Sequence, residues 1–397
     1  MKLFALKMLF GDVAKFYGIL FGLIFATLLI AQQASIFTGL MSRTFGFIRD
    51  TPQPDLWVVD PAQLFVDDQK PLRATEAERV RSVSGVAWAV PLFKSLLSTQ
   101  LPDGTRQTCD IIGIDDATLI AGPPRMIAGH VEDLRRPDTV IINTAELGKK
   151  IKAPASLPVG QSRAEPLRPG EPTRPLGIGD VLELNERRAE IVGICETTQT
   201  FQSAPVLYTT FSRAREFAPA NRRIASMVLV KAMDGVDHAE LAARIKAETG
   251  LDAYVPREYA WKTIWYWVRQ TGIPINFGIA IGLGFLVGVA IAGQMFYNFT
   301  LENLRYFGAM KAMGLSTPRL LGMVSLQALT AGFLGVGIGL GAVAAFGLNA
   351  SGGKLAFLLV WQVAAATGVA VMLICIGTAM ISMIPVARLD PADVFRS

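Results

Sequence analysis

Four stretches of this chain contain no Asp, Glu, Lys or Arg: residues 16–42, 270–301, 320–353 and 355–387. Each exceeds the ~20 residues that carry an α-helix across a hydrocarbon core of about 30 Å. One transmembrane helix is therefore expected in each. The composition agrees, since 51% of the 397 residues are hydrophobic and only 18% are charged, against about 25% charged in ordinary soluble domains. The first run is longer than a signal-peptide core, and Gln32-Gln33 are followed by no small-x-small cleavage site, so it is expected to remain as the first membrane helix.

Orientation follows from Lys and Arg in the short connections. Lys2, Lys7 and Lys15 precede the first helix, Arg305, Lys311 and Arg319 lie between the second and third, and Arg388 and Arg396 follow the fourth; the one other short connection carries Lys354 alone. This bias places both termini and residues 302–319 in the cytoplasm and residues 43–269 outside. It also accounts for part of the formal charge of +5, and the absence of any basic-aromatic module argues against a nucleic-acid partner.

The expected fold class is thus a membrane protein with four transmembrane α-helices and a large extracytoplasmic α+β domain inserted between helices 1 and 2. Its segments are 1–42 (N-terminal segment and first helix), 43–269 (outside domain), 270–301 (second helix), 302–317 (a short cytoplasmic helix), 318–353 and 354–387 (third and fourth helices) and 388–397 (cytoplasmic tail). Within the outside domain "DLWVVD" (55–60), "SMVLVKA" (226–232) and "DAYV" (252–255) read as strands, and "ATEAERVRSV" (74–83) and "VDHAELAARIKAETG" (236–250) as helices. Residues 95–115 read as a hairpin turning at Asp103-Gly104. Residues 43–115 with 226–258 are expected to form one half and 116–225 a β-rich subdomain. The tip of the latter is the proline-rich 154–175, where regular helix and central strand are excluded; it is either a simple loop or a docking segment.

Trp261, Trp265 and Trp267, in "YAWKTIWYWVRQ" (259–270), suit a membrane interface, where an aromatic belt is favoured over substrate stacking. Inside the membrane, glycines recur four residues apart, at Gly278 and Gly282, Gly284 and Gly288, Gly335 and Gly339, and Gly337 and Gly341. Such spacing lets helix backbones approach, within one bundle or between two copies. No acidic, basic or histidine side chain lies within the four runs, which disfavours an ion pathway.

Catalytic chemistry finds little support. Only His130 and His238 are present, and Cys109 and Cys195 match no metal motif, although an oxidising compartment would permit a disulfide between them; Cys375 lies mid-helix. No phosphate-binding G-x-x-x-x-G-K-[ST] occurs, because Gly353-Lys354 is followed by Leu355. The chain is expected to bind no cofactor and no metal and to be no enzyme.

The segment "ENLRYFGAMKAMGLSTPR" (302–319) interrupts two membrane runs with a soluble-looking helix. On a helical wheel Tyr306, Phe307, Met310 and Met313 share one arc, Glu302 and Arg305 stand i, i+3 as an expected ion pair, and Gly314 suits a left-handed C-terminal cap. The apolar arc either rests on lipid headgroups or meets a protein.

This stretch resembles the E-R-x-R-E-I-G-x-x-[RK]-A-x-G-A-S signature of FtsX-like, MacB-type ABC transporter permeases. "PVARLDPADVFR" (385–396), with Arg388, Pro391 and Arg396, resembles their closing P-x-x-x-A-x-R-x-x-P-x-E-A-L-R, with shorter spacing before the Arg. "PDTVII" (137–142), "IGDVLEL" (178–184) and "EIVGI" (190–194) are similar in order to their periplasmic domain. The resemblance implies a coupling helix contributed by Glu302, Arg305, Phe307, Gly308, Met310, Lys311 and Gly314, docked on a separate ATPase subunit that holds the ATP and Mg. Asn303 and Tyr306 depart from the usual Arg and Glu. It also implies two ATPase copies, a second permease copy, a periplasmic adaptor and outer-membrane channel, and a place among inner-membrane lipids. The implied activity is mechanotransmission, in which ATP-driven closure is passed through long helices to the outside domain for efflux or lipid or lipoprotein export. The alternative is an FtsX-type complex that regulates a cell-wall hydrolase.

Overall fold

The computed structural model describes residues 2–162, 170–219, 224–350 and 355–388. The chain starts with α1 (Lys2–Gly11) and α2 (Val13–Thr44). It divides into two compact units, residues 41–271 and residues 1–40 with 272–397.

The unit 41–271 begins with α3 (Gly46–Asp50), β1 (Leu56–Val59), α4 (Glu76–Arg81), β2 (Val86–Gln100) and β3 (Arg106–Ile114). It continues through β4 (Arg125–Ala128), β5 (Thr139–Asn143), β6 (Lys152–Pro154), β7 (Thr173–Pro175), β8 (Val181–Leu184), β9 (Arg187–Glu196) and β10 (Val206–Thr210). It ends with α5 (Phe211–Phe217), β11 (Met227–Ala232), α6 (His238–Thr249), β12 (Asp252–Tyr254) and α7 (Pro256–Gln270). Four strands run antiparallel in the order β12-β1-β11-β2. With α4 and α6 this is a split β-α-β-β-α-β arrangement, and residues 101–225 are inserted between its second and third strands. Side chains alternate across the sheet: Leu56, Val58, Val228 and Val230 pack with Val80 and Leu241 of the two helices, whereas Trp57, Val59 and Leu229 join a second cluster. Asp237 caps α6 by accepting hydrogen bonds from the N–H groups of Ala239 and Glu240, and Gly250 ends it at φ 76°.

The insertion continues this sheet through β2. β2 is long enough to serve twice: Val86–Leu92 ladder to β11, and Phe93–Gln100 ladder to β3. From β3 the pairing runs through β10, β5, β9 and β8 and returns to β2 at Thr99–Leu184 and Gln100–Glu183. The ring so closed has no free edge there, and its interior holds Leu97, Cys109, Ile111, Ile142, Ile191 and Leu207. β3, expected in the first half, belongs to this ring. Cys109 lies inside it and Cys195 packs in the cluster on the other face; both thiols are free, and burial pushes each up to about 12. The proline-rich stretch is pinned at its ends by the β6–β7 pair, and residues 163–169 lie outside the described ones.

The other unit joins α1 and the membrane part of α2 to α8 (Ile273–Glu302), α9 (Leu304–Ala312), α10 (Thr317–Ala350), α11 (Trp361–Ser382) and α12 (Ile384–Arg388). Four helical stretches are long and apolar enough to cross a membrane: Val13–Thr44, Ile273–Glu302, Thr317–Ala350 and Trp361–Val386. The last begins seven residues later than the expected 354. Residues 356–360 form neither helix nor strand, and the Leu358 N–H donates to the Ser35 carbonyl at 3.0 Å. α1 was not anticipated from its charges. It buries Ala5 and Leu9, and the Ala5 carbonyl accepts a 2.7 Å hydrogen bond from Gln327 Nε2 of α10.

Candidate functional site

The short helix between the second and third membrane helices has two faces. Phe307, Gly308 and Met310 are buried, and Phe307 and Met310 pack in one cluster with Ala5, Leu320, Met383 and Val386. Tyr306 and Met313 instead are 63% and 74% exposed, beside exposed Arg305 and Ala312. The single apolar arc read from the helical wheel is therefore divided: half of it anchors α9 to the bundle and half is free. The cause is the cluster itself, since α1 and α12 bring apolar side chains to the same end of the bundle as α9. Glu302 does not pair with Arg305 as expected; it pairs with Lys15, which also holds Asp12. Lys311 is half-buried. Gly314 adopts φ 92° with open space around it, so the backbone alone requires glycine there. Of the closing motif, Arg388 ends α12, while Pro391 and Arg396 lie outside the described residues.

The glycine pairs separate in the same way. A Cβ on Gly335 would stand 2.7 Å from Leu23 Cβ, one on Gly339 2.6 Å from Thr27 Cβ, and one on Gly288 2.7 Å from Ala26 Cβ. These glycines are where α10 and α8 close on α2. Gly278, Gly282, Gly337 and Gly341 meet nothing within 4 Å, so they take no part in packing within this bundle. The aromatics divide too: Trp261 and Trp265 are about half exposed, with the Arg269 guanidinium 4.9 Å over the Trp265 ring. Trp267, expected beside them, packs on Phe65 and Phe201 with centroids 5.4 and 4.2 Å away.

One cluster was missed from the sequence. Lys94 of β2 is 2% exposed, and its ammonium lies 2.5 Å from Asp110 Oδ2 and 2.7 Å from Asp67 Oδ1. Register explains the meeting: Lys94 pairs with Ile112 and Asp110 with Leu96, so the two charged side chains are diagonal neighbours on one face. Burial alone would lower Lys94, but Asp110 and Asp67 outweigh it and hold the ammonium above its ordinary range. Burial raises Asp110; Lys94 pulls it back, and Asp67, a second carboxylate on the same ammonium, pushes it up again. Asp110 Oδ1 is buried and has no hydrogen-bond donor. Val90, Leu92, Ile112 and Ile114 of the same parity are buried in the cluster on the outer face of the ring, and Lys94 and Asp110 share that parity. Among the described residues, no three His, Cys, Asp or Glu side chains converge as a metal-ligand set.

Residues 18–248 match the family model of the MacB-like periplasmic core domain, and residues 261–391 that of the FtsX-like permease C-terminal region. Two curated relatives, both described as uncharacterized ABC transporter permeases of Mycobacterium tuberculosis (strains CDC 1551 and H37Rv), are 25% identical over 236 residues, which cover 57% of this chain and 63% of each relative. The match thus spans less than two thirds of the relatives' length. Among solved structures, the periplasmic region of MacB from Actinobacillus actinomycetemcomitans is similar over 53% of this chain and 92% of that one (14% identity, TM-score 0.34). The extracellular domain of the noncanonic ABC-type transporter YknZ from Gram-positive bacteria is similar over 51% and 98% (12% identity, TM-score 0.32). With its two models covering the outside unit and the later membrane helices in turn, the chain belongs to the family of FtsX-like, MacB-type ABC transporter permeases.

Proposed function

We propose that the chain is the membrane-spanning subunit of an export system powered by ATP hydrolysis on a separate subunit, and that the exposed face of α9 is where the two meet. The observation that carries this reading is the pair Tyr306 and Met313, large apolar side chains left open on a helix whose other side is anchored in the bundle. A helix held on one side and bare on the other can transmit a push from a partner into α8 and α10. In this arrangement ATP and Mg stay on the partner, two copies of each subunit assemble, and α9 with both termini lies in the cytoplasm of an inner-membrane protein. The outside unit then receives the motion and passes cargo to an adaptor and outer-membrane duct. The alternative within the same family is a complex that controls a cell-wall hydrolase, and the match of residues 18–248 to the MacB-like periplasmic core domain is compatible with both.

The test is co-purification from membranes. Tyr306→Asp and Met313→Asp are each expected to lower recovery of the ATPase at least tenfold, because either places a carboxylate in an apolar contact. Phe307→Asp is no equivalent test, since it would bury the charge in the bundle itself. Wild-type recovery with both exposed-face variants would refute the docking surface.

A further inference from the structure

We propose that the face of α8 turned away from its own bundle is a seam on which a second copy of this chain packs, with the amides of Gln294 and Asn298 as a polar clasp across it. The proposal rests on the reading that two copies assemble, and it names where they meet.

Spacing is the first argument. Leu283, Val287, Ala290, Gln294, Tyr297 and Leu301 follow one another in alternate steps of four and three residues, the a and d positions of a heptad repeat. α8 meets its own bundle through the opposite side, where Gly284, Gly288, Ala292, Phe296 and Phe299 are buried. Gly288 closes there on Ala26 of α2 and Ile374 of α11. The heptad line is left open: Leu283, Ala290, Gln294, Tyr297 and Leu301 are exposed and Val287 is half-buried. A line with this repeat keeps facing a partner helix when the two wrap left-handed around each other.

Polarity is the second and independent argument. The Lys15–Glu302 pair marks the charged end of the bundle. Gln294 precedes Glu302 by eight residues, about 12 Å along the helix at a rise of 1.5 Å per residue. That is deeper than a headgroup layer of about 5–8 Å on each side of the bilayer, so the exposed Gln294 side chain faces hydrocarbon. Its Nε2 donates to Asn298 Oδ1 at 3.0 Å, and among the described residues this is the one side-chain hydrogen bond of either amide. The Gln294 carbonyl oxygen and the Asn298 N–H groups keep their bonding capacity, and polar groups left so in hydrocarbon are costly.

Symmetry names the occupant. Two copies inserted the same way are related by a two-fold axis along the membrane normal, so each α8 meets the other in parallel and at one level. Gln294 then faces Gln294 of the second copy, and because an amide is both donor and acceptor the pair satisfies itself. Acyl chains offer neither group, and an unrelated helix would need a polar side chain at that same height. A single polar a position also fixes register and partner number in such a seam, while Asn298, on the flank, holds the Gln294 amide in place.

The experiment is disulfide cross-linking of the full chain in native membranes, with Cys109, Cys195 and Cys375 replaced and single cysteines introduced on α8, alongside copy counting by single-molecule photobleaching. Leu283→Cys, Ala290→Cys and Tyr297→Cys are expected to form cross-linked dimer faster than Gly282→Cys and Phe285→Cys, which are exposed but off the heptad line. Gln294→Leu in the Ala290→Cys chain is expected to slow the cross-link about fivefold or more, the change that one interhelical hydrogen bond of this kind carries, and Gln294→Asn to keep it. Two copies by photobleaching, with cross-links absent or no faster on the line than off it, would put lipid or another helix on this face; that result would overturn the proposal and leave the assembly of two copies standing. A single copy would overturn both. An unchanged cross-link in Gln294→Leu would overturn the clasp.

Discussion

The two units treat mismatched side chains in opposite ways. On α9, Tyr306 and Met313 are apolar and exposed; behind β2, Lys94 and Asp110 are charged and buried. Neither arrangement is what folding alone favours, since apolar burial stabilises by about 25 cal/mol per Å² and a buried ion pair frequently does no better than a hydrophobic substitute. The first is where we propose that a partner completes the structure; the second is completed by the chain itself, with Asp67 and Asp110 on the Lys94 ammonium. The difference is in what breaks when the place is altered: α9's outer face is separable from the bundle, whereas the Lys94 cluster is part of the domain's core.

The largest effect is expected from Lys94→Met. It leaves Asp110 buried without its ammonium, and breaking a buried pair from one side costs about 3–5 kcal/mol. Denaturant unfolding of the outside unit in the full chain should show this loss, and adding Asp110→Asn should restore much of it. A single variant as stable as the wild type would remove the contrast with α9.

A carboxylate in the same unit sharpens it with the opposite sign. Burial alone would raise Asp180, but two hydrogen bonds from the Arg174 guanidinium at 2.6 and 2.7 Å and one from the Gly177 N–H outweigh it and hold Asp180 below its usual range. A depressed folded value means stabilisation that is full above the unfolded pKa of about 3.9 and lost as pH falls through the folded one. Asp180→Asn should cost about 1.5–3 kcal/mol at neutral pH and flatten the acid limb of a melting profile. Asp110 is raised, so its ionisation weighs against folding as pH climbs from the unfolded value through the folded one; Asp110→Asn should not flatten that limb.

In the membrane unit, Gly335→Leu or Gly339→Leu should destabilise the bundle by about 1–3 kcal/mol through overpacking against α2, measured as melting in detergent. Gly337→Leu and Gly341→Leu should be tolerated, since both positions face open space. Smallest of all, Trp261→Ala should change stability by less than about 0.5 kcal/mol, because Trp261 is half exposed.

Much of this was legible because the signals are local. Absence of charge marks the four membrane helices, Asp103-Gly104 marks the β2–β3 turn, and Gly250 and Gly314 mark helix ends by a conformation that other residues rarely adopt. What sequence reading missed depends on partners distant in the chain. The inward half of α9 is set by α1 and α12, the shared role of β2 by strands up to β11, and the exclusion of Gly278 and Gly282 from packing by where α2 runs. Lys94 sits in "PLFKSLL", where a lysine reads as a solvent-facing position until Asp110 is seen to share its face.

Cross-linking from α9 in the assembled complex tests the contact itself. With Cys109, Cys195 and Cys375 replaced, a photoreactive maleimide on Met313→Cys is expected to cross-link the co-purified ATPase subunit, and one on Phe307→Cys to cross-link only within the membrane bundle. Cross-links from Met313→Cys to lipid alone, or ATPase cross-links from Phe307→Cys and none from Met313→Cys, would contradict α9's exposed face as the docking surface.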